Sequence, residues 1–273
     1  MGGGNMEWIS TLGVAALVIF FYMTSLFVLA QIHRDNSIAD VAWGPGFILV
    51  AWTTLLINVS FTPRQLIAAA LILIWGTRLA VRIHLRNRGK GEDIRYRNWR
   101  ETWGKAFVIR SYFQVFILQG CILLMNIAPI LVINTYDAGK FGVLDVFAVL
   151  LWVLGFSFES IADWQLDRFI ADPNSRGNIM DRGLWRYSRH PNYFGEVTMW
   201  WGIYCLALSV PWGWISIIGP LTISGSILFV SGIPMTERLM AKTPGFAAYK
   251  KRTSVFIPWF PKKIRSSSTG GAS

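Results

Sequence analysis

Gly13-Val14-Ala15-Ala16-Leu17-Val18-Ile19-Phe20-Phe21-Tyr22-Met23 is the middle of a run from Trp8 to Gln31 that contains no charged residue. A helix needs about 20 mainly apolar residues to cross the hydrocarbon core of a bilayer. This run has that length, and it is too long for the apolar part of a signal peptide. It also lacks a basic segment before it and a small-residue cleavage site, so it is expected to stay in the chain. Working outward, comparable runs cover Ile38–Ile57, Gln65–Ile83, Ser111–Ile133, Phe141–Ile161, Tyr193–Val210 and Gly213–Ile233. The sequence therefore predicts an all-α integral membrane protein with about seven transmembrane helices.

Composition agrees with that reading. The 273 residues are 53% hydrophobic and 15% charged, with 14 Trp and 18 Phe. A soluble domain carries about 25% charged residues, so much of this surface must face something apolar. The formal charge of +11 has three ordinary explanations, namely nucleic acid, a membrane surface or an anionic ligand, and its distribution decides among them. Cys121 and Cys205 both lie in apolar runs, with no CxxC and no Cys/His cluster, so no metal site is predicted.

The charge is concentrated in three places. Arg82–Arg110 holds Arg82, Arg86, Arg88, Lys90, Arg95, Arg97, Arg100, Lys105 and Arg110. Asp163–Asn192 holds Arg168, Arg176, Arg182, Arg186 and Arg189, and the C-terminal segment is rich in Lys and Arg from Arg238 on. The connections Asn58–Thr62, Thr135–Lys140 and Pro211-Trp212 are short and nearly neutral. An excess of Lys and Arg marks cytoplasmic loops. With this span count all the basic segments fall on one side, which predicts the N-terminus outside and the C-terminus inside, with ordered cytoplasmic loops. One polytopic domain over residues 1–265 is expected, with 266–273 as a disordered tail.

Ionisable residues inside spans are costly and usually face a cavity. Asp40, in Asp40-Val41-Ala42-Trp43-Gly44-Pro45-Gly46, reads either as an acid lining a pocket beside Trp43 or as a helix N-cap. Gly44, Pro45 and Gly46 are weak helix formers that open space or distort the helix there. Trp43, Phe47 and Trp52 are candidate walls of such a pocket. Glu159 and Asp163 share one helix face, which Asp167 continues. They read as acceptors for a polar ligand or as members of a salt-bridge network. Glu196 and Glu237 lie at a similar depth, so carboxylates and basic loops are expected to meet on the cytoplasmic side.

The basic loops interleave Arg with Asn, Tyr, Trp and His, as in Arg86-Asn87-Arg88-Gly89-Lys90, Arg95-Tyr96-Arg97-Asn98-Trp99 and Arg186-Tyr187-Ser188-Arg189-His190-Pro191-Asn192-Tyr193. Arginine offers phosphates a planar fork of donors and stacks on flat rings. Arg88, Lys90, Arg95, Tyr96, Arg168, Arg182, Tyr187, Arg189, His190 and Tyr193 are accordingly candidates for holding a nucleotide. Nucleic acid is disfavoured, because the charge is divided among short loops tethered at the bilayer. No GxGxxG follows a strand and no Walker loop occurs, so a nucleotide site must be built from helix ends and loops.

Arg182-Gly183-Leu184-Trp185-Arg186-Tyr187-Ser188-Arg189-His190-Pro191-Asn192-Tyr193-Phe194-Gly195-Glu196, followed by Glu237-Arg238, Tyr249, Arg252 and Phe256-Ile257-Pro258, resembles the C-terminal half of the steroid 5α-reductase family, closest to its bacterial branch. Asn87-Arg88-Gly89-Lys90-Gly91-Glu92-Asp93-Ile94-Arg95-Tyr96 extends the resemblance, which covers roughly Ile38 to Pro261. Isoprenylcysteine and phospholipid methyltransferases, which bind S-adenosylmethionine, share the C-terminal half. The Asn-Arg-Gly loop and the Pro-Asn-Tyr-x-Gly-Glu form favour the reductase.

The resemblance implies NADPH as cofactor and a lipid-soluble enone, such as a 3-keto-Δ4-steroid, as substrate. Residues 8–83 would then be mainly the substrate side and 84–261 mainly the cofactor side. By matching positions it implies Asn87 and Arg88 near the cofactor, and Asp163 and Asn192 bonded to its amide or sugar groups with Glu196 beside them. Tyr187 would lie nearby, and Arg189, Tyr249 and Arg252 would serve its phosphates and adenosine. Asp40 is the counterpart of the family's acid on the second span, so it is the catalytic candidate. The family's tyrosine from the third span has no counterpart, because Trp75 and Arg78 occupy that stretch. The implied location is a bacterial inner membrane, or the endoplasmic reticulum in a eukaryote, with the cofactor site facing the cytoplasm. A methyltransferase and a non-enzymatic sterol-binding protein are the competing expectations.

Overall fold

The computed structural model describes residues 2–137 and 139–262, with side chains from residue 6 on, so the tail expected over 266–273 lies outside the described residues. The described chain is helical apart from its connections and a single isolated bridge between Ser188 and Ser254. In order it runs through α1 (Gly2–His33), α2 (Ile38–Val41), α3 (Trp43–Asn58), α4 (Pro63–Asn87), α5 (Ile94–Trp103), α6 (Phe107–Ser111), a π-helical stretch (Tyr112–Ile117), α7 (Leu118–Asn126) and α8 (Ala128–Tyr136). It continues through α9 (Val143–Ala171), α10 (Pro191–Ala207), α11 (Ile218–Gly225), a second π-helical stretch (Ser226–Val230), α12 (Ile233–Met240) and α13 (Phe246–Arg252).

Five helical segments among the described residues are long and apolar enough to cross a membrane: Met6–His33, Pro63–Asn87, Ile94–Asn126, Val143–Ala171 and Gly213–Met240. The protein is thus an all-helical integral membrane protein. The second and sixth apolar runs form α3 and α10, of 16 and 17 residues.

Local sequence explains where helices start and stop. Thr62 begins α4 with a reciprocal cap: its hydroxyl accepts the Gln65 N–H at 3.3 Å, and Gln65 Oε1 accepts the Thr62 N–H at 3.0 Å. Pro63 follows at the first helical position, where a missing N–H costs nothing. Asp93 caps α5 by accepting the Arg95 N–H at 2.9 Å, and Gly104, at φ 50°, ends it.

The chain divides into two compact units, residues up to Val149 with Ile203–Thr222, and Leu150–Gly202 with the chain from Ile223 on. In the first unit α3 and α4 cross backbone to backbone: a Cβ on Gly44 would lie 2.3 Å from the Gly76 carbonyl oxygen. Small residues at such a crossing let van der Waals packing act where lipid removes the hydrophobic driving force. Gly44 and Gly46 thus serve close packing within a continuous helix, where the sequence left open space or distortion as their role. Phe47 is fully buried, its ring 5.1 Å from Trp43 and 5.4 Å from Trp75. Expected on a pocket wall, it is instead core packing.

In the second unit the same device joins α9 to α10. A Cβ on Gly155 would come 2.4 Å from the Met199 nitrogen, and one on Gly195 would come 2.4 Å from the Glu159 nitrogen. Below that crossing Trp185 packs with Ala162 and Met180, and its indole N–H donates to the Ala162 carbonyl at 3.0 Å.

Candidate functional sites

In the first unit Asp40 lies within α2, not at its N-cap, which is Ser37. Its Oδ2 accepts from Arg95 at 2.5 Å and its Oδ1 accepts from the Tyr96 hydroxyl at 2.8 Å. Both carboxylate oxygens are therefore acceptors, and the O–H donor of the pair is Tyr96, which is only 2% exposed. Arg95 is shared with Asp93, whose Oδ1 accepts from Arg95 Nε at 2.9 Å. Burial works to raise the Asp93 carboxyl, but the bonds from the Arg95 side chain and backbone N–H outweigh it and hold the group below the usual range. The Asp93 N–H donates to Ser37 Oγ at 2.8 Å, so α5 is tied back to the turn before α2. Arg95 and Tyr96, expected at a nucleotide, are committed to Asp40.

Asn87 and Arg88, at the end of α4, line a cavity of about 440 Å³ with Tyr22, Asp35, Ser37 and His84. Lys90 is exposed nearby in sequence. Trp43 and Trp52 are half-buried on α3 and do not line this cavity.

The second unit carries the rest of the candidate residues. Asp163 is buried, and the Asn192 amide donates to its Oδ1 at 3.2 Å. Asn192 Oδ1 is buried without a hydrogen-bond partner among the described residues. Glu159 is buried one turn before Asp163, whereas Asp167, expected on the same face, is exposed. Glu196 follows Asn192 by one turn of α10.

Arg189, expected at a phosphate, is 7% exposed and spends its donors inside the protein. Its Nε donates to Glu237 Oε1 at 2.8 Å, and its Nη1 donates to the carbonyls of Lys250 at 3.0 Å and Thr253 at 2.8 Å. A guanidinium used in this way is a clamp that ties the start of α10 to α12 and to the end of α13. Tyr249 is likewise structural: its buried hydroxyl donates to the Trp185 carbonyl at 2.5 Å, and burial pushes its ionisation above the ordinary tyrosine range. Arg252 pairs with Asp181. Arg168 lies over the Trp164 ring at 4.5 Å, Arg182 is exposed, and Tyr187 meets Phe260 edge-on at 6.0 Å.

His190 stacks on Tyr193, with ring centroids 5.4 Å apart, and its Nε2 lies 3.6 Å from Glu237 Oε1. Burial is the main influence on the imidazole. Together with neighbouring Arg189 it outweighs the attraction of Glu237 and lowers the pKa to about 4. His190 is thus neutral at pH 7.

A family model for a protein of unknown function, DUF1295, matches residues 26–253. The chain belongs to that family. It is also 25% identical over 227 residues to an uncharacterized protein of Schizosaccharomyces pombe, a match covering 71% of this chain and 63% of that protein. The chain therefore spans less than two thirds of that relative's length. No solved structure matches it.

The DUF1295 region takes in every candidate residue from Asp40 to Arg252. It also takes in a buried ionic cluster that was not anticipated from the sequence. Arg64 donates from Nε and Nη2 to the two oxygens of Asp145, at 2.7 and 2.9 Å, and from Nη1 to Asp137. Asp137 also accepts from the Thr62 hydroxyl, and the Gly142 N–H donates to Asp145 Oδ2 at 2.7 Å. The cluster fixes the start of α4 against the end of α8 and the start of α9. Asp137 is balanced by Lys140 within the connection Thr135–Lys140, whereas Asp145, an ionisable residue inside the expected span Phe141–Ile161, was the available signal.

Proposed function

We propose that this DUF1295 protein is a membrane-embedded, NADPH-dependent reductase of the carbon–carbon double bond of a lipid-soluble enone, of the steroid 5α-reductase type. The observation that carries the reading is the Asn192–Asp163 pair. The resemblance assigns these two positions to the cofactor's amide or sugar groups. In the fold they are hydrogen-bonded to each other, with one amide oxygen unspent. A buried acceptor of this kind suits the N–H of a carboxamide or the hydroxyl of a ribose. The fit is partial, since Arg189 and Tyr249 are consumed by the protein itself. The phosphate contacts then fall to exposed cations such as Arg182 and Arg186.

A reduced nicotinamide, when bound, supplies hydride to the β-carbon of the enone. Negative charge then grows on the carbonyl oxygen, where a preorganised O–H donor lowers the barrier. We assign that task to the Asp40–Tyr96 pair: the single Tyr96 O–H, donated to Asp40 Oδ1 in this structure, would turn to the carbonyl oxygen when the enone is bound. Arg95 donates to the other oxygen of Asp40.

The membrane topology belongs to the same proposal. The five long helices with α3 and α10 make about seven crossings. At 1.5 Å per residue α3 and α10 are about 24 and 26 Å long, near the thickness of the hydrocarbon core. The Lys/Arg distribution supports an outside N-terminus and a cytoplasmic cofactor face. A bacterial inner membrane, or the endoplasmic reticulum of a eukaryote, is the corresponding location.

The test is thermal unfolding of the detergent-purified protein with NADPH or with S-adenosylmethionine. It is joined to an assay of NADPH absorbance with a 3-keto-Δ4-steroid. Stabilisation by NADPH, reduced in Asn192→Ala, is the expected result. Stabilisation by S-adenosylmethionine alone would assign the methyltransferase reading. Indifference to both would leave a lipid-binding protein.

A further inference from the structure

The segment 252–262 closes on itself, because the Lys262 N–H donates to the Arg252 carbonyl at 2.8 Å. One side of this loop is laced to the residues that precede α10. The Arg189 N–H donates to the Ser254 carbonyl at 2.8 Å, and the Trp259 N–H donates to the Tyr187 carbonyl at 2.9 Å. The Ser188 hydroxyl donates to the Phe256 carbonyl at 2.7 Å, and the Phe256 ring lies 5.7 Å from Phe194.

The other side is apolar. Val255, Ile257 and Trp259 alternate with the half-buried Phe256 and Pro258, since an extended chain sends successive side chains to opposite faces. The three are 42%, 62% and 70% exposed, and Phe260 next to them is 77% exposed. A contiguous exposed apolar patch on a backbone held this firmly marks an interaction surface.

The base of the loop is fixed to the end of a membrane-crossing segment. Arg189 binds Glu237, in the last turn of α12, with the same guanidinium that binds the Lys250 and Thr253 carbonyls. α12 closes the apolar segment Gly213–Met240. The loop is therefore anchored where a lipid-crossing helix ends, the depth at which tryptophan rings settle among headgroups.

Charge selects the lipid. From Arg238 on, the sequence contains no Asp or Glu. Lys250 and Arg252 pair with Glu237 and Asp181, whereas Arg238, Lys242, Lys251 and Lys262 are exposed and in no ion pair among the described residues. Lys251 and Lys262 sit at the closure of the loop, and no carboxylate within it offsets them. A second copy of the chain is the poorer occupant, because a two-fold contact would set these cations against their own copies. Anionic headgroups are instead drawn to Lys and Arg at the membrane surface.

We propose that the loop 252–262 is an interfacial anchor: Val255, Ile257, Trp259 and Phe260 enter the headgroup layer of the bilayer, and Lys251 and Lys262 bind the phosphates of anionic phospholipids there. Through its bonds to Tyr187, Ser188 and Arg189 the anchor sets the start of α10 against the membrane surface. The proposal stands apart from the reductase reading, since no nucleotide enters its test.

The full-length protein, with Cys121→Ala and Cys205→Ala, carries a bimane label at Ile257→Cys and is reconstituted into two kinds of vesicle. One is dioleoylphosphatidylcholine alone, and the other is an equimolar mixture with dioleoylphosphatidylglycerol. Quenching by a brominated phospholipid reports contact with the bilayer, and quenching by acrylamide reports contact with water. Asn174→Cys, on an exposed loop, is the reference site. In the mixed vesicles Ile257→Cys should be quenched by the brominated lipid and shielded from acrylamide, with the reverse at Asn174→Cys. Lys251→Glu with Lys262→Glu should lower the lipid quenching at Ile257→Cys by about twofold or more in mixed vesicles and leave it unchanged in phosphatidylcholine, because only an anionic surface attracts the lysines. Val255→Cys is the second labelled site should Ile257→Cys not fold, as judged by its thermal unfolding. Acrylamide quenching as strong as at Asn174→Cys would overturn the proposal. So would shielding from both quenchers, which would assign the face to a protein partner, or equal lipid quenching in the two kinds of vesicle.

Discussion

The Tyr96 hydroxyl donates to Asp40 Oδ1 at 2.8 Å, joining residues that are 56 positions apart and lie on different helices. The other oxygen of Asp40 is held by Arg95. This arrangement separates the roles of donor and orienter. Tyr96→Phe keeps the ring and its packing but removes the only O–H of the pair. Under the proposed reaction it should lower the rate of enone reduction by about 100-fold, the scale of one lost oxyanion donor, with NADPH binding unchanged. Asp40→Asn keeps an acceptor for Tyr96 and should lose less. A Tyr96→Phe protein with full turnover would remove Tyr96 from the chemistry. The readouts are steady-state NADPH oxidation and NADPH-dependent thermal shift.

Arg64 balances two buried carboxylates, and its Nε–Nη2 edge meets Asp145 as a two-point fork. Removing one partner of a buried ionic cluster typically costs about 3–5 kcal/mol, because the remaining charges stay desolvated. Arg64→Ala should therefore lower the unfolding midpoint sharply in detergent. Arg64→Lys should recover little, since an ammonium cannot reproduce the fork. The triple variant Arg64→Leu, Asp137→Asn, Asp145→Asn should be more stable than Arg64→Ala. Circular dichroism melts of the three proteins check this ordering.

The helices were legible because a lipid-crossing segment must be apolar along its whole length, and a run such as Trp8–Gln31 has no other use. The spacing of Glu159 and Asp163 was legible for a similar reason, since one helical turn puts them on one face. The family resemblance assigns Asp163 and Asn192 separately to the same groups of a cofactor, and in the fold the two residues are hydrogen-bonded to each other. Pairings between distant segments were not legible. Asp40 with Tyr96, Arg64 with Asp145, and Arg189 with Glu237 depend on which helix ends meet, which no local pattern encodes. Arg189 looks like a phosphate ligand in sequence because a guanidinium suits a carboxylate and a phosphate equally well. Phe47 looks like a pocket wall because an aromatic residue in a span has the same local appearance whether it faces a cavity or a neighbouring ring.

Gly44 and Gly195 test the close helix crossings. A Cβ on Gly44 would fall 2.3 Å from a backbone oxygen, and one on Gly195 would fall 2.4 Å from a backbone nitrogen. Backbone cannot move aside as a flexible side chain can, so Gly44→Ala and Gly195→Ala should each cost about 1–3 kcal/mol or more, the range for overpacking. Gly13 is also in a long helix but has nothing within 4 Å of its would-be Cβ. Gly13→Ala should be neutral or slightly stabilising, since alanine is the better helix former. Equal melting temperatures for all three variants would mean that the crossings are looser than described.

His190 gives the protein an acid-side dependence whose sign follows from its surroundings. In the folded chain its pKa is lowered from 6.5 to about 4, chiefly by burial. The unfolded chain therefore binds more protons than the folded one between those two values. Stability must rise with pH through that window and fall as pH is lowered from about 6.5 towards 4. Below about 4 this residue adds no further dependence, because both states are protonated. His190→Gln keeps a polar side chain that cannot titrate, so its midpoint should vary less with pH between 6.5 and 4 than that of the wild type. The measurement is the unfolding midpoint at several pH values across that interval, in the same detergent and at constant ionic strength. Parallel curves for wild type and variant would show that His190 is as accessible to protons in the folded protein as in the unfolded chain. The stacked, buried position against Tyr193 would then have to be abandoned.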